Sequence, residues 1–516
     1  MRFTPIWSVF ALATAAWSTP VANSKCHKPT TGESLVFSNP AAAAFKVNQT
    51  LPGVPFKLNT SYAGNIPISK DDPSRQLFFW MFPADEPTNV TVVWSNGGPG
   101  CSSLEGLLQE NGPFALPFNS TDVVKSPYSW TRLANVIWVE HPVTVGFTKG
   151  TANISSETDV SRDFVGFLDN LFSVFTELKG TELWLTGESY AGMYLFYIAN
   201  AIYSRSDAVN AAAGLNLQGM WQEHPSATTA SQTDVSLRTS APGVNANDPS
   251  ITSDAFGEEI PAVPYAIAHQ HDLKLSDRFV SKLISDAKKH GIYDYIEENL
   301  KYPPAGPLSI PAAAGNFENY SPWSDIFEEA YKQTNGAFNV YDTRPKNSWY
   351  PLQDPIGFPP NAEQASTNNW LNNVKGIKEA IHADPSIQWK ECTDNNPFNG
   401  GIDRSLPPDV TIMGSVIERS KRVLIQHGLQ DFVLIANGTR LSIQNTTFNG
   451  LQGFQTAPSK RLIVEGNDAG VFHEERGLTY VEIEASGHMI PQDYPAAAFK
   501  TLQYLIGQIG LDELAR

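Results

Sequence analysis

Hydrophobic positions in this chain fall into short solid runs separated by turn residues. Four of them, Val90–Trp94, Val136–Val139, Leu183–Thr186 and Val423–Gln426, are each bounded by Gly, Pro or Asn. Consecutive apolar positions over so few residues suit strands buried on both faces, as in a parallel sheet. Tyr480–Glu484 alternates instead and reads as a further strand. Between the strands lie stretches with helical spacing. Asp163–Leu178 is one; Tyr190–Tyr203 follows a strand directly, and Ala496–Ile506 reads as a closing helix. This alternation predicts an α/β architecture, with a mostly parallel central sheet and helices on both faces.

The pattern changes in the middle of the chain. Gln222–Glu259 is rich in Ser, Thr, Ala, Asp and Pro with little periodicity, and residues 260–330 regain helical spacing, as in Arg278–His290. A structureless loop of that length is unusual inside a compact domain. Residues at about 215–340 are therefore expected to form an inserted cap region over one end of the sheet. No internal repeat or linker divides the rest. The expected organisation is a leader over 1–22, an N-terminal segment over 23–59 and a single domain over 60–516.

Composition narrows the setting. The chain has 516 residues, 41% of them hydrophobic and only 17% charged, which supports a large folded core. A net charge of −17 argues against nucleic acid and anionic membranes as partners and is read simply as solubility. Arg2, the apolar run Ile6–Trp17 and the small residues through Ala22 form a secretory signal pattern, with cleavage expected between about Ala16 and Ala22. That run is too short to span a bilayer. Asn-x-Ser/Thr sequons at Asn48, Asn59, Asn89, Asn119, Asn153, Asn319, Asn437 and Asn445 make N-linked glycans an expectation for a secreted or vacuolar protein. Three cysteines, at 26, 101 and 392, leave one unpaired. Cys26, just past the leader, is expected to be that one.

The chemistry begins at Thr186-Gly187-Glu188-Ser189-Tyr190-Ala191-Gly192. Ser189 sits at a strand-to-helix turn with small residues on either side, the pattern of a nucleophile elbow, here G-x-S-x-A followed by Gly. A serine capping a helix start would look similar. A serine hydroxyl needs a base held by a carboxylate, and in elbow hydrolases these follow in the order acid, then His. Asp431 lies just past the strand Val423–Gln426, and His488 lies in the Gly-containing loop after Tyr480–Glu484. At another strand end, Asn96-Gly97-Gly98-Pro99-Gly100-Cys101 offers backbone N–H groups free to face a substrate, as an oxyanion hole requires, although a tight turn would also use these glycines. No His-Glu-x-x-His, phosphate-loop or dinucleotide motif occurs, so no metal and no cofactor are expected.

Together these pieces resemble the serine carboxypeptidases, particularly secreted fungal members, which have the α/β-hydrolase fold. The resemblance runs from about residue 60 to the C-terminus. It rests on Asn96–Ser103, Gln109-Glu110-Asn111-Gly112-Pro113, Gly187–Gly192, Asn339-Val340-Tyr341-Asp342, Asn449–Phe454, the Asp431 region and Gly487-His488-Met489-Ile490-Pro491. It implies a triad of Ser189, Asp431 and His488, an oxyanion hole from the N–H groups of Gly98 and Tyr190, and a disulfide between Cys101 and Cys392. It also implies that Asn96, Gly97, Glu110 and Glu188 hold the terminal carboxylate of a peptide or protein substrate.

A physical reason supports the two glutamates. Neighbouring carboxylates resist double ionisation, so one keeps a proton in mild acid and can donate to a peptide's C-terminal carboxylate. Peptide binding should then weaken towards neutral pH. Some positions depart from the family pattern: Ser95 for Leu, Thr144 for Gly, Phe196 for Pro, and Leu434 near where some members place Cys. Substrate pockets are expected to differ at Thr144 and Phe196. Two other readings stay open, an acyltransferase or esterase on the same scaffold and an inactive binding glycoprotein.

Overall fold

Eleven strands build one twisted sheet. They are β1 (Lys46–Val47), β2 (Ser61–Pro67), β3 (Gln76–Phe82), β4 (Val90–Ser95), β5 (Asn135–Glu140), β6 (Glu182–Glu188), β7 (Leu217–Glu223), β8 (Arg422–Gly428), β9 (Lys460–Val464), β10 (Asn467–Glu475) and β11 (Leu478–Ile483). Their spatial order is β1-β2-β3-β5-β4-β6-β7-β8-β11-β10-β9. The six central strands, β5 to β11 in that order, run parallel to their neighbours, and antiparallel strands close both edges. The computed structural model describes residues 35–118, 120, 122–223, 255–309, 320–344, 355–356 and 369–516.

The longer helices are α1 (Glu157–Val174), α2 (Ala191–Ser204), α3 (Ile260–Ala268), α4 (Asp277–Lys289), α5 (Pro322–Gln333) and α6 (Pro495–Leu505). Strand side chains alternate between two apolar layers, as the pleat requires. Phe78, Trp80, Trp94, Trp138, Trp184 and Trp221 point into one layer, with Leu502 and Leu505 of α6. Phe79, Val93, Ile137, Leu185 and Met220 point into the other, with Phe164 and Leu168 of α1 and Ile198 of α2. Both faces are therefore covered, which is why the central strands read as solid apolar runs. The architecture is that of an α/β-hydrolase.

The stretch expected as an insertion contains a central strand. β7 pairs with β6 on one side and β8 on the other, so departure from the sheet begins after Glu223. Its Gln222 and Glu223 break the apolar run while being fully buried, which hid the strand from a hydropathy reading. Beyond it, α3, α4 and α5 pack on their own apolar cluster of Ile260, Val263, Leu283, Trp323 and Ile326. Phe432 and Ile435 join that cluster, and Trp323 Nε1 donates to the Phe432 carbonyl at 2.7 Å. The helical layer thus braces the loop that carries Asp431. Thr144 has φ of +99°, a region that favours glycine and is strained for a β-branched residue. Phe196 is buried in the layer under α2.

Candidate active site

Ser189 sits between the last residue of β6 and the first of α2 with φ of +56°. A non-glycine residue in the left-handed region is strained and persists only where its surroundings over-determine it. Here they do. The Ser189 N–H donates to the Glu223 carbonyl at 2.9 Å, while its carbonyl accepts from Gly192 N–H at 2.9 Å and from Gln222 Nε2 at 3.3 Å. A Cβ on Gly187 would lie 2.3 Å from the Ser95 carbonyl oxygen and 2.8 Å from the Ala191 Cβ, so the turn tolerates only small neighbours.

Asp431 and His488 come together from loops after β8 and β11. His488 Nδ1 is 2.8 Å from Asp431 Oδ2, and Asp431 Oδ1 accepts from the N–H groups of Val433 at 2.8 Å and Leu434 at 3.1 Å. This pairing puts a proton on Nδ1 and the basic lone pair on Nε2. Both side chains are buried. Burial pulls the His488 pKa down, but the Asp431 charge and hydrogen bond, helped by Glu188, outweigh it and raise the value. The Asn339–Asp342 segment supports His488, since His488 N–H donates to the Tyr341 carbonyl at 2.7 Å and the two rings meet edge-on.

The glycine turn lies against the elbow. A Cβ on Gly97 would be 2.4 Å from Tyr190 N and 2.9 Å from the Glu188 carbonyl oxygen. Gly98, at φ +113°, has no room for a side chain beside Gly100 and Cys101. A disulfide joins Cys101 to Cys392 across 291 residues of chain, flanked by Ser102 N–H to Glu391 O at 2.6 Å and Thr393 N–H to Gly100 O at 2.9 Å. Cys26 lies outside the described residues.

On the other side of the elbow is a buried cluster of acids. Asn96 Nδ2 donates to Glu105 Oε2, to Glu188 Oε1 at 2.8 Å and, more weakly, to Glu110 Oε1 at 3.4 Å. Asn96 Oδ1 accepts from Trp94 Nε1 at 2.7 Å and Gly106 N–H at 3.2 Å, which fixes the amide's orientation. Carboxylate oxygens of Glu105, Glu110 and Glu188 lie within 4.8 Å of one another, and all three residues are buried. Burial first, then the charges of Glu105, Glu188 and Glu223, push Glu110 far above the ordinary range. Burial pushes Glu188 up to about 7, against the opposing effects of His488 and Asn96. The oxygens alone would suit a cation. The Asn96 amide donates into the same oxygens, however, so shared protons suit the arrangement better than a metal.

A family model described as serine carboxypeptidase matches residues 52–508. The chain belongs to the serine carboxypeptidase family. Among curated relatives, a probable serine carboxypeptidase of Arthroderma benhamiae is 38% identical, covering 90% of this chain and 86% of its own length. A serine-type carboxypeptidase F of Aspergillus niger is 34% identical, with 92% and 89% covered. The crystal structure of Kex1(delta)p, a prohormone-processing carboxypeptidase from Saccharomyces cerevisiae, superposes with a TM-score of 0.65 at 21% identity, covering 91% and 97%, and shows the shared fold.

Within this carboxypeptidase, several buried groups near the site carried no signal in one dimension. Glu105 lies between the Asn96–Ser103 and Gln109–Pro113 motifs, and spacing alone does not show that it and Glu110 both reach Asn96. Glu223 accepts Ile490 N–H through Oε1, two residues beyond His488, as well as holding Ser189 through its carbonyl. Tyr190 donates its hydroxyl to Asp403 Oδ2 at 2.7 Å from beneath the elbow, a contact across 213 residues.

Proposed function

We propose that this serine-type carboxypeptidase releases C-terminal amino acids from peptides and proteins at acidic pH through an acyl-enzyme on Ser189. The observation that carries the reading is the buried carboxyl cluster of Glu110 and Glu188 around the Asn96 amide, with Glu188 directly preceding the elbow serine. Burial raises both above the ordinary carboxylate range, Glu188 to about 7, so that in mild acid they donate to a substrate's terminal carboxylate, with Asn96 and Gly97 beside them. His488 Nε2 takes the Ser189 proton as Oγ attacks the last peptide carbonyl, and Asp431 steadies the imidazolium. The N–H groups of Gly98 and Tyr190 receive the developing oxyanion, each worth about 3 kcal/mol. His488 returns the proton to the leaving amine, and water then cleaves the ester.

Secretion with N-linked glycans belongs to the same proposal. The leader lies outside the described residues, and no helix among those described is long and apolar enough to cross a membrane. Asn48, Asn59, Asn89 and Asn153 are exposed. Asn437 and Asn445 are half-buried, Asn445 also accepting from Leu308 N–H, and are weaker acceptors. Asn119 and Asn319 lie outside the described residues.

Mass spectrometry of a mixed peptide library at pH 5 tests the reading. Free-acid peptides should shorten from the C-terminus, amidated ones far more slowly, and Ser189→Ala should stop both. Equal hydrolysis of amidated peptides would favour an esterase or acyltransferase. Absence of phosphonylation at Ser189 by an organophosphorus fluoride would favour a binding glycoprotein.

A further inference from the structure

Residues 222 and 223 form a bracket that touches both halves of the catalytic apparatus. At the end of β7, Gln222 Nε2 donates to the Ser189 carbonyl at 3.3 Å and to the Glu223 carbonyl at 2.6 Å. The same Glu223 carbonyl accepts the Ser189 N–H at 2.9 Å. Both faces of the Ser189 peptide are therefore held by one dipeptide. The Glu223 side chain then turns towards the other loop, where Oε1 accepts the N–H of Ile490. Gln222 and Glu223 are both fully buried. A fully buried polar pair at the end of a central strand is a liability unless its hydrogen bonds are used, and here they link elbow to base.

We infer that Glu223 is a positioning residue that sets the His488 loop against Ser189 through its bond to Ile490 N–H. This rests on the assignment of Ser189 and His488 as nucleophile and base. The other supports of the loop act from different directions. Tyr341 O receives His488 N–H, and Asp493 Oδ2 receives Gly487 N–H at 2.7 Å. Neither of those contacts touches the serine, whereas Glu223 is bonded to both partners. Its role needs an acceptor oxygen and not a charge. Burial, followed by the Glu188 charge, raises the Glu223 pKa well above the usual carboxylate range, so the side chain holds its proton under acid conditions and glutamine is a fair replacement. Misplacing a reacting group by about 1 Å can slow a reaction on the order of 100-fold.

The test compares the purified full-length protein with Glu223→Met, Glu223→Asp and Glu223→Gln. Methionine keeps volume but offers no acceptor oxygen, so kcat for a free-acid peptide should fall about 30-fold to 100-fold with KM within threefold. Aspartate, one methylene shorter, should fall at least fivefold below glutamine, and glutamine should restore kcat to within about threefold of wild type by keeping the acceptor. Should methionine prevent folding, the aspartate and glutamine pair decides the matter alone. The rate of Ser189 phosphonylation should follow the same order. That rate reads serine–histidine geometry without any peptide, so failure of the peptide specificity and failure of this inference are distinguishable. Wild-type kcat and phosphonylation in both Glu223→Met and Glu223→Asp would overturn the inference. So would a glutamine variant as slow as aspartate, or a loss confined to KM.

Discussion

Two groups of buried carboxyls flank the same elbow, and they differ in company. On one side Asp431 stands opposite an imidazole, with two backbone N–H groups on its other oxygen. On the other, Glu105, Glu110 and Glu188 crowd around one asparagine amide without a cation among the contacts described. Both sides are buried. The pairing on the first side raises the basicity of His488, while crowding on the second drives protons onto the glutamates. One functional group, the carboxyl, is thus paired with an imidazole on one side of the elbow and crowded by its own kind on the other. Burial alone does not decide its ionisation; the neighbour within hydrogen-bonding reach does.

The comparison breaks most visibly at Asp431. Replacing Asp431 by Asn keeps the shape but presents the imidazole with an amide, which favours the wrong tautomer of His488. By the precedent of triad hydrolases kcat should fall about 10⁴-fold, measured on amidated and free-acid peptides alike. A loss confined to free-acid peptides would mean that Asp431 belongs with the carboxylate-binding side.

On the glutamate side the expected effect is smaller and appears in KM. Wild-type KM for free-acid peptides should rise about tenfold or more between pH 5 and pH 8, as Glu188 ionises near 7 and a donor to a charged group, worth about 1.5–3 kcal/mol, is lost. The double variant Glu110→Gln and Glu188→Gln carries amide donors that do not titrate, so its KM should stay flat across that range. For amidated peptides neither protein should show the rise. A double variant with the wild-type slope would assign the pH dependence to another group.

The reach of the sequence followed the range of the interactions. Central strands β4, β5, β6 and β8 are legible because burial on both faces leaves each a run of at least three consecutive apolar positions, and the elbow because its strain demands small residues at 187 and 191. Ser189, Asp431 and His488 were legible as locally shaped motifs, each at a strand end. β7 was missed because two of its seven positions, Gln222 and Glu223, spend their polarity on contacts with residues 189 and 490. Glu105 was missed for a similar reason, since only the fold shows Asn96 turning its amide towards all three glutamates. Phe196 had been expected at a pocket; in the fold it belongs to the packing beneath α2.

The smallest of these effects concerns stability, and its sign separates a proton-holding cluster from one that is merely buried. A carboxyl whose folded pKa lies above its unfolded value stabilises the fold fully below the unfolded pKa, and that contribution is lost as pH rises through the folded one. For Glu188 the window runs from about 4.5 to about 7, and Glu110, also raised by burial and neighbouring carboxylates, contributes with the same sign. Glu140, buried and raised to about 7, and His488, also raised, act in the same direction. His141, pulled down to about 3 by burial, opposes them only below its unfolded value of 6.5. The apparent Tm at fixed scan rate should therefore fall between pH 5 and pH 8. Glu110→Gln should match wild type at pH 5, where both side chains are neutral, and melt a few °C higher at pH 8, where one unit of relieved shift is worth about 1.4 kcal/mol. Parallel Tm curves for the two proteins would show that Glu110 does not hold its proton in the fold, and would leave the two sides of the elbow chemically alike.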